Sequence, residues 1–513
     1  MLEREISMPA KDYCLGNRFY GAERLAVRLL ALMKSACVIF LCFAHMPSGA
    51  NGKVFHISST GKSQASGTMS DPWSLPTALM QSVTVHPGDT MWIHGGVYRL
   101  SAPLSSSLWG TPGRPVIVRN YRGERVTLEG TFGGASNVFY AGGAFTWYWG
   151  LEIRSTTMDT LGNCTLVNVS GQGLKFINCV IHDGTGAGFA DFSAADETEI
   201  YGCLVYFNGR RTVGNHNYGI YAQNDGKRKV YEDNFWMHNF GLYQVHCYGS
   251  AGLLDSFYIK HNVFTNWSNA AALTIGAEDS AARFPVVDSN YFYGSGGGGE
   301  QDLLRLLFIE YGAGCRSPVI RGNYFMRGMI VLNAATTNRV FVGNTTYGRW
   351  PYLTTWSVRN VDFDTAGAPR NQWHLSRDYR TVPRPRGTTV SVRSNRYEQG
   401  RANVVIYNWE KLPKVSVDLS EVLRVGDRFE VRDAQNFYGA PTATGTYEGG
   451  SVSIPMVGLP IAAPISYPGN LARPQHTPPE FAAFVVTTVP SVGASEVLVP
   501  RNGGSRANEA SNK

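Results

Sequence analysis

Two short stretches concentrate side chains that can bind and move protons. The first, GNHNYGIYAQND at residues 214–225, contains a histidine, two tyrosines and a glutamine, and the second, YQVHCYGS at residues 243–250, contains another histidine and two more tyrosines. Phenol, imidazole and amide groups can act as general bases, as general acids and as hydrogen-bond partners of a substrate. The doubled pattern predicts one site that is built from two neighbouring elements.

Proton removal next to a carboxylate is the chemistry that these residue types suit. Such a reaction needs a general base, together with groups that neutralise the carboxylate so that the enolate can form. We therefore divide the candidates into a catalytic group and a substrate-binding group. The first group is His216, Tyr221 and His246, and the second is Gln223, Asn224, Tyr248, Arg210 and Arg211.

Hydrolysis of a glycan would require other groups. A glycoside hydrolase places two carboxylates on either side of the scissile bond, and the chain contains no Asp-Asp pair. An acidic cluster at residues 300–310 sets Glu300, Asp302 and Glu310 around Arg305. A surface ion-pair network is its simplest interpretation, with a substrate subsite or a Ca²⁺ site as the alternative. No cofactor is assigned with certainty, Ca²⁺ is the one candidate, and no metal ligands are assigned.

The elements that carry these residues are short strands in a repeat. From about residue 150 to 350 a phrase recurs in which Asn or Gly precedes alternating apolar residues and a polar turn, and successive phrases are 24, 32, 28, 28, 33 and 21 residues apart. A repeat of this length indicates a solenoid, a propeller or an array, and its short runs with period two are strands. Because tight hairpin turns do not separate these runs, parallel coils fit better than propeller blades. The residues that mark the phrases are Asn178, Gly202, Asn234, Asn262, Asn290, Asn323 and Asn344.

The stretch before the repeat resembles the opening of a known family. VFHISSTG at residues 54–61, PGDT at residues 87–90 and GGVYR at residues 95–99 are similar to segments of the right-handed parallel β-helix proteins of the pectate-lyase-like superfamily. The resemblance covers about residues 52–350 and implies an all-β fold, a right-handed parallel β-helix. It does not imply one reaction, because the superfamily includes lyases, hydrolases, epimerases and phage tail spikes.

Stacking of coils predicts how the two proton-moving stretches meet. A strand residue has a neighbour one coil later, at a spacing of about 4.8 Å. Aligning YGIYAQN with YQVHCYG sets Tyr221 against His246 and Gln223 against Tyr248, and period two then turns Ile220 and Val245 inward. The predicted result is one outward patch for a substrate. An aromatic ladder that only stabilises the coils is the alternative, and His182, His238 and His261 are interpreted as turn histidines.

The two ends of the chain differ from the repeat. Met33-Lys34, an apolar run from Ala36 to Met46 and the small Ala50 predict a secretory signal peptide with cleavage before Asn51. An uncleaved membrane anchor is the alternative, and translation could begin at Met33. A capping helix is expected from Asp71-Pro72 to about Gln81. The predicted divisions are a signal region at 1–50, the β-helix at 51–390, a C-terminal antiparallel β-sandwich-like domain at 391–488 and a disordered tail at 489–513.

Composition excludes several partners. The 46 Lys and Arg residues against 39 Asp and Glu residues give a net charge of only +7, and no block of five like charges occurs, so a nucleic-acid footprint is missing. Outside the leader, five cysteines are widely spaced, which predicts core packing instead of metal sites or disulfides. Cys179 and Cys203 stand at like places in the repeat. We expect a monomer whose partner is a polysaccharide, without stable membrane insertion after cleavage of the signal.

The functional expectation is a carbohydrate-active protein that is secreted, periplasmic or on the cell surface. A polysaccharide lyase that cleaves an acidic, uronate-containing glycan by proton abstraction and β-elimination suits the residues of the patch. The chain lacks the G-H-G and R-I-K motifs of polygalacturonase-like members and the D-P-H-D motif of alginate epimerases. A hydrolase or epimerase on the same fold stays an alternative, as does a non-catalytic protein that binds glycans or mediates adhesion.

Overall fold

Each repeat phrase folds into one coil of three short strands, and the coils stack in parallel. The computed structural model describes residues 52–132, 136–156, 164–209, 217–249, 254–265, 271–277, 280–294, 305–309, 314–332, 336–349, 372–376, 384–465 and 473–489.

The first strand of each coil belongs to sheet I, which has eleven parallel strands. Its strands are β1 (Val54–Lys62), β2 (Thr90–Ile93), β5 (Val116–Asn120), β8 (Thr146–Trp149), β11 (Lys175–Ile177), β14 (Glu199–Tyr201), β17 (Lys229–Glu232), β20 (Phe257–Lys260), β24 (Val286–Asp288), β28 (Val319–Arg321) and β31 (Val340–Val342).

The second strand of each coil belongs to sheet II, which also has eleven parallel strands. Its strands are β3 (Gly96–Arg99), β6 (Val126–Glu129), β9 (Leu151–Arg154), β12 (Val180–His182), β15 (Leu204–Tyr206), β18 (Phe235–Met237), β21 (Val263–Thr265), β25 (Tyr291–Tyr293), β29 (Tyr324–Met326), β32 (Thr345–Arg349) and β33 (Gln372–Ser376).

The third strand belongs to sheet III, which has nine parallel strands. Its strands are β4 (Leu104–Ser106), β7 (Asn137–Ala141), β10 (Thr165–Val169), β13 (Phe189–Asp191), β16 (Ile220–Ala222), β19 (Tyr243–Tyr248), β22 (Ala271–Gly276), β26 (Arg305–Ile309) and β30 (Met329–Leu332), and a further parallel pair joins β23 (Ala282–Arg283) to β27 (Cys315–Arg316).

Period-two alternation in these strands fills one continuous core inside the coils. Side chains one coil apart stack on each other, as in the rings of Phe264 and Phe292 at 4.5 Å and of Phe292 and Phe325 at 4.8 Å. Cys179 and Cys203 stack in the same way, and all five cysteines of the described residues are buried and free. The predicted parallel β-helix and the predicted packing role of the cysteines are confirmed.

A ladder of buried asparagines explains the repeat phrase. At these turns from sheet I to sheet II, the backbone N–H of one Asn donates to the side-chain oxygen of the Asn one coil later. Asn234 donates to Asn262 in this way at 3.1 Å, and Asn262 donates to Asn290 at 2.9 Å. The residue before each of them has a positive φ. Cys179 and Cys203 occupy the ladder position in the earlier coils, so two predicted markers, Asn178 and Gly202, stand one residue too early.

Removing one rung should destabilise the coils. We expect Asn262→Ala to lower the free energy of unfolding by about 1–3 kcal/mol, because it deprives the buried Asn234 N–H of its acceptor and the Tyr231 carbonyl of a donor at 2.9 Å. Urea unfolding checks this, with an unchanged m-value. The control is Gln172→Ala, which removes a bond to Glu197 on the surface and should change stability by less than about 0.5 kcal/mol.

The capping helix is shorter than predicted and begins later. Helix α1 spans Leu75–Leu79, follows Ser74 as N-cap and has a proline in its first two positions. The predicted N-cap, Asp71, instead accepts the backbone N–H of Ser66 at 2.7 Å in a polar turn. The sequence has two prolines in close succession that could each mark the start of a helix. The helix begins at the second of them, because Leu75 and Leu79 are buried there.

An antiparallel domain follows the coils. A five-stranded sheet contains β34 (Thr388–Ser394), β35 (Ala402–Asn408), β40 (Phe481–Thr488), β37 (Arg428–Asp433) and β38 (Ala443–Thr446), and a second pair joins β36 (Lys414–Asp418) to β39 (Ser451–Pro455). Two short 3₁₀ turns lie at Tyr121–Gly123 and Ala434–Asn436. Apolar side chains between the two antiparallel sheets form a separate core, as predicted for a sandwich-like domain.

The antiparallel domain packs on the outer face of sheet II. Aromatic rings meet across this contact, with Tyr293 stacked on Phe481 at 4.6 Å, and Arg393 binds Asp233 at 2.6 Å. The outer face of sheet II is therefore covered along most of its length, whereas sheet III carries no such cover in the part of the chain that is described. Among the described residues, no helix is both long and apolar enough to span a bilayer.

Candidate functional site

The two proton-moving stretches lie on adjacent strands of sheet III in the predicted register. Tyr221 of β16 pairs with His246 of β19, while Ile220 pairs with Val245, and both of these apolar residues are fully buried in the core. Tyr221, Gln223 and Tyr248 are partly exposed on the outer side. A shift by one residue would have turned every one of these side chains over, so this register is what creates the patch.

His246 lies inside a cage of tyrosine rings, which we call the tyrosine–histidine patch. Its ring centroid is 4.4 Å from Tyr243, 4.5 Å from Tyr218, 5.2 Å from Tyr248 and 5.6 Å from Tyr221. The rings cover His246 so well that only 5% of it is exposed, although it lies on the outer side of the sheet. Both of its ring nitrogens are buried as well, so the imidazole is shielded from bulk water.

Tyr218 and Tyr243 belong to this patch although the alternation rule does not predict it. Strict period two would turn Tyr243 to the same side as Val245. Instead, Gln244 is buried and accepts a hydrogen bond from the side chain of Asn239, while Tyr243 packs against Tyr218 at 5.6 Å. The signal in the sequence was the presence of both tyrosines in the two quoted stretches, and the local irregularity at Gln244 hid their role.

Two phenols of the patch, Tyr218 and Tyr221, are held in their protonated form. Burial, together with the neighbouring phenols, raises the pKa of Tyr218. Burial also raises the pKa of Tyr221, although a hydrogen bond from the Gln223 amide to its hydroxyl at 3.2 Å partly opposes this. A phenol with a raised pKa is protonated at neutral pH, so these two phenols carry a proton that an acid role needs, and the base role falls to imidazole.

The remaining predicted site residues either lie outside the described residues or do not lie in the patch. His216, Arg210 and Arg211 lie outside the described residues. The predicted substrate-binding role of Asn224 does not fit its position. The residue is fully buried, and its amide donates to the backbone carbonyls of Lys227 and Asp255, so it shapes a turn and does not face a substrate. Among the residues of the predicted acidic cluster, Arg305 is described and lies in β26, whereas Glu300, Asp302 and Glu310 lie outside the described residues.

Charges on the outer face of sheet III are few and positive. The one carboxylate in the described strands of this sheet, Asp191, points inward. Arg305 is partly exposed, and the pairings Tyr243 with Ala271 and Ala271 with Arg305 place it two coils beyond the patch. Two coils correspond to about 9.6 Å between the backbones. A negatively charged ligand on this face would meet a cation and no described carboxylate.

A buried ion pair lies directly beneath this face. Lys229 donates to Asp191 Oδ1 at 2.6 Å and to the Phe192 carbonyl at 2.7 Å, and both charged side chains are fully buried. Tyr231 and Thr198 donate to the same carboxylate at 2.7 and 3.1 Å. The sequence offered no signal for this pair, which anchors the turn after β13 and with it the ring of Phe192.

A second cluster of ionisable groups lies on sheet II, at the edge of the antiparallel domain. His182 contacts Asp183 at 2.6 Å and Glu152 at 3.0 Å, and Arg125 donates twice to Glu152, at 2.6 and 2.7 Å. Asp183 also accepts the backbone N–H of Ile465 at 2.8 Å. Every member has protein partners, so the cluster joins the two domains. The sequence-based interpretation of His182 as a turn histidine missed this role.

In this cluster, hydrogen bonds and neighbouring charges shift the pKa values of Glu152 and His182 in the direction opposite to burial. Burial by itself raises the pKa of Glu152, but hydrogen bonds from Arg125 and His182 outweigh it and lower the pKa to about 2. Burial by itself lowers the pKa of His182, but the hydrogen bonds to Asp183 and Glu152 outweigh it and raise the pKa. The hydrogen bonds of the cluster thus favour the protonated form of His182 over its neutral form.

Replacing this histidine should have a pH-dependent effect on stability. The contribution of protonated His182 is complete below its unfolded pKa of about 6.5 and is lost as pH rises through the higher folded-state pKa. We expect His182→Gln to lower the free energy of unfolding by about 2 kcal/mol at pH 6 and by less at pH 9, measured by urea unfolding. A loss of equal size at both pH values would contradict the charged state.

Metal binding has no obvious site in the described part of the chain. No group of three or more His, Cys, Asp or Glu residues there is arranged to hold a metal ion. Ca²⁺ at the predicted acidic cluster stays an untested expectation, because the acidic residues of that cluster are not among those described.

A family model agrees with this architecture. Residues 55–268 match the family model described as Pel9A-like, right-handed beta helix region. Solved structures that resemble the chain include pectate lyase Pel9A, with 14% identity, a TM-score of 0.36 and coverage of 58% of this chain and 80% of that one. A rhamnogalacturonan lyase has 14% identity, a TM-score of 0.41 and coverage of 63% and 87%.

An adhesin resembles the chain to a similar degree. The Streptococcus pneumoniae surface protein and adhesin PfbA has 11% identity, a TM-score of 0.36 and coverage of 53% of this chain and 79% of its own. A search of curated proteins gave no match. The matched family model describes a right-handed beta helix region over residues 55–268, which is the fold of the stacked coils and the fold that the sequence resemblance predicted.

Proposed function

Because residues 55–268 form a right-handed β-helix and match a Pel9A-like family model, we propose that the chain is a polysaccharide lyase that cleaves a uronate-containing glycan by β-elimination. One observation carries the proposal. An imidazole lies at the centre of four phenols on the outer side of sheet III, and the described strands of this sheet place one cation and no carboxylate on that side.

The proposed reaction moves one proton onto the enzyme and one onto the leaving group. His246 takes the proton on the carbon next to the uronate carboxylate, and the released electron pair forms a carbon–carbon double bond as the bond to the glycosidic oxygen breaks. Tyr221, whose pKa is raised by burial, donates its proton to that oxygen. Because the Tyr221 hydroxyl accepts a hydrogen bond from the Gln223 amide, the proton of that hydroxyl can be directed at the substrate. No co-reactant is required.

A cation is needed to make this proton acidic. Neutralising the carboxylate favours the enolate-like transition state, in which negative charge moves onto the carboxylate oxygens. Arg305 is the described cation on this face, and Arg210 and Arg211 are proposed for the same role because they precede His216 in the chain. His216 is proposed as a second imidazole at the site, and Tyr248 and Gln223 as residues that bind the sugar hydroxyls.

A hydrolase is less well supported on this face. Glycoside hydrolysis uses a pair of carboxylates about 5–10 Å apart, and the described strands of sheet III place no carboxylate on their outer side. A non-catalytic glycan-binding protein remains the second candidate, because a cage of tyrosines can also bind sugars without any reaction.

A panel of uronate polysaccharides tests the proposal. The purified protein is incubated with polygalacturonate, alginate and glucuronan while ultraviolet absorbance is followed, because β-elimination creates an unsaturated product end that absorbs. New reducing ends without absorbance would indicate a hydrolase. Binding in gel electrophoresis without either signal would indicate a glycan-binding protein. Export through the signal region at 1–50 is proposed as well, and the N-terminal mass of the native protein tests cleavage before Asn51.

A further inference from the structure

Exposed aromatic rings lie on sheet III beyond the tyrosine–histidine patch. Tyr140 of β7 is 39% exposed, and Phe192, directly after β13, is 37% exposed. The two rings share one face of one sheet and therefore offer a surface on which a sugar ring can stack. They lie on the side of the patch toward the amino-terminal coils.

Strand pairing connects these rings to the patch without interruption. Tyr140 pairs with Asn168, Asn168 with Ala190, Ala190 with Tyr221, and Tyr221 with His246. Four coil steps of about 4.8 Å place Tyr140 about 19 Å from His246 along the coil axis. We call the part of this row before Tyr221, namely Tyr140, Asn168 and Ala190 with the adjoining Phe192, the aromatic strip.

The chemistry of the aromatic strip alternates between rings and a hydrogen-bond donor. Ser170 donates to the side-chain oxygen of Asn168 at 2.9 Å, so the amide nitrogen faces away from it. No partner for that nitrogen is found among the described residues, and the side chain is partly exposed. Ala190 is the smallest side chain of this row and lies between the larger Asn168 and Tyr221, with Phe192 two residues further along the chain.

Phe192 is a rigid part of this surface. Its backbone carbonyl accepts a hydrogen bond from the buried Lys229, and its ring lies 6.0 Å from Tyr221 at an angle of 61°. An anchored ring loses little conformational freedom when a sugar stacks on it, and aromatic rings with one apolar face and a polar surrounding suit sugar rings.

We propose that the aromatic strip binds further sugar units of the same uronate polysaccharide whose reacting unit lies at His246. The inference rests on the proposed function and extends it, because it makes the substrate a polymer that runs along the coil axis toward the amino-terminal coils. Phe192 and Tyr140 stack on sugar rings, the Asn168 amide donates to a hydroxyl or carboxylate oxygen, and Ala190 leaves room for the chain.

The test compares a polymer with a trisaccharide of the same uronate, each drawn from polygalacturonate and from alginate. We expect Phe192→Ala and Tyr140→Ala to weaken binding of the polymer by about 5- to 10-fold each and to leave trisaccharide binding unchanged. Ala190→Leu, which enlarges the side chain between Asn168 and Tyr221 and removes no ring, should weaken polymer binding similarly. The control is Phe284→Ala, another exposed ring (55%) that lies outside sheet III.

Binding is measured by affinity electrophoresis in the His246→Gln background, so that the outcome does not depend on turnover. Weaker polymer binding in the strip variants, even if the parent protein turns over no substrate, supports the aromatic strip and overturns only the lyase assignment. Unchanged polymer binding in all three strip variants overturns the strip. So does an equal loss for polymer and trisaccharide, and so does a parent protein that binds neither polymer.

Discussion

We expect His246→Gln to lower turnover of a uronate polysaccharide by about 10²-fold or more while the protein keeps its fold. Glutamine is similar in size to histidine and can keep polar contacts inside the ring of phenols, but it cannot accept the substrate proton. The affinity for the polymer should change little, because the rings that contact sugars remain. The measurement is the initial rate of ultraviolet absorbance increase, with the far-ultraviolet spectrum as a check on folding.

The dependence of rate on pH separates a base from a packing residue. If His246 is the base, kcat/KM of the parent protein should rise with pH as the imidazole loses its proton, and this limb should disappear in the variant. His86→Gln is the matched control, because His86 is exposed in the turn before β2. Parental turnover in His246→Gln on a confirmed substrate would make the patch a packing feature and would refute the assigned role.

The acid role of Tyr221 is tested in the same assay. Tyr221→Phe keeps the ring against His246 and removes the hydroxyl that accepts the Gln223 amide. If the phenol protonates the leaving oxygen, kcat should fall and KM should stay close to the parental value, because the interaction is made in the transition state. A rise in KM alone would assign Tyr221 to substrate binding instead.

Breaking the buried ion pair below sheet III should cause the largest loss of stability. We expect Lys229→Met to lower the free energy of unfolding by about 3–5 kcal/mol, because it leaves Asp191 buried without a cation. Lys227→Met, two residues earlier, removes only surface contacts to Asp196 and Glu197 at 3.8 and 3.7 Å. That control should cost less than about 1 kcal/mol.

The loss in Lys229→Met should grow with pH. Burial already raises the pKa of Asp191, and removal of the ammonium that opposes this would raise it further. The folded variant would then keep the carboxyl protonated while the unfolded chain releases the proton above about pH 4, so stability falls as pH rises. Urea unfolding at pH 4.5 and pH 8 measures this slope.

A second substitution tests whether the unpaired Asp191 carboxylate causes the loss of stability in Lys229→Met. Asp191→Asn in the Lys229→Met background removes the carboxylate and should recover about half of the lost stability and abolish the pH slope. Recovery should remain incomplete, because the carbonyl of Phe192 still lacks its donor. A single Lys229→Met variant with parental stability at pH 8 would show that the pair contributes nothing.

The sequence by itself determined the coils and the pairing of the two proton-moving stretches. Period two separates inward from outward residues, and coils of similar sequence stack in register, so Tyr221 must meet His246 once Ile220 and Val245 are buried. The same reasoning explains the stacked cysteines and most of the asparagine ladder. These contacts join residues at equivalent places in successive repeats, which a one-dimensional pattern can express.

Only the tertiary structure decided which side chains complete the site. Tyr243 joins the patch because Gln244 turns inward to Asn239, and Asn224 leaves it because two backbone carbonyls bind its amide inside the turn. The antiparallel domain covers sheet II and leaves sheet III open, and the Asp191–Lys229 pair anchors Phe192 from below. These outcomes depend on side-chain packing and on hydrogen bonds between segments far apart in the chain, and no periodicity in the sequence encodes such contacts.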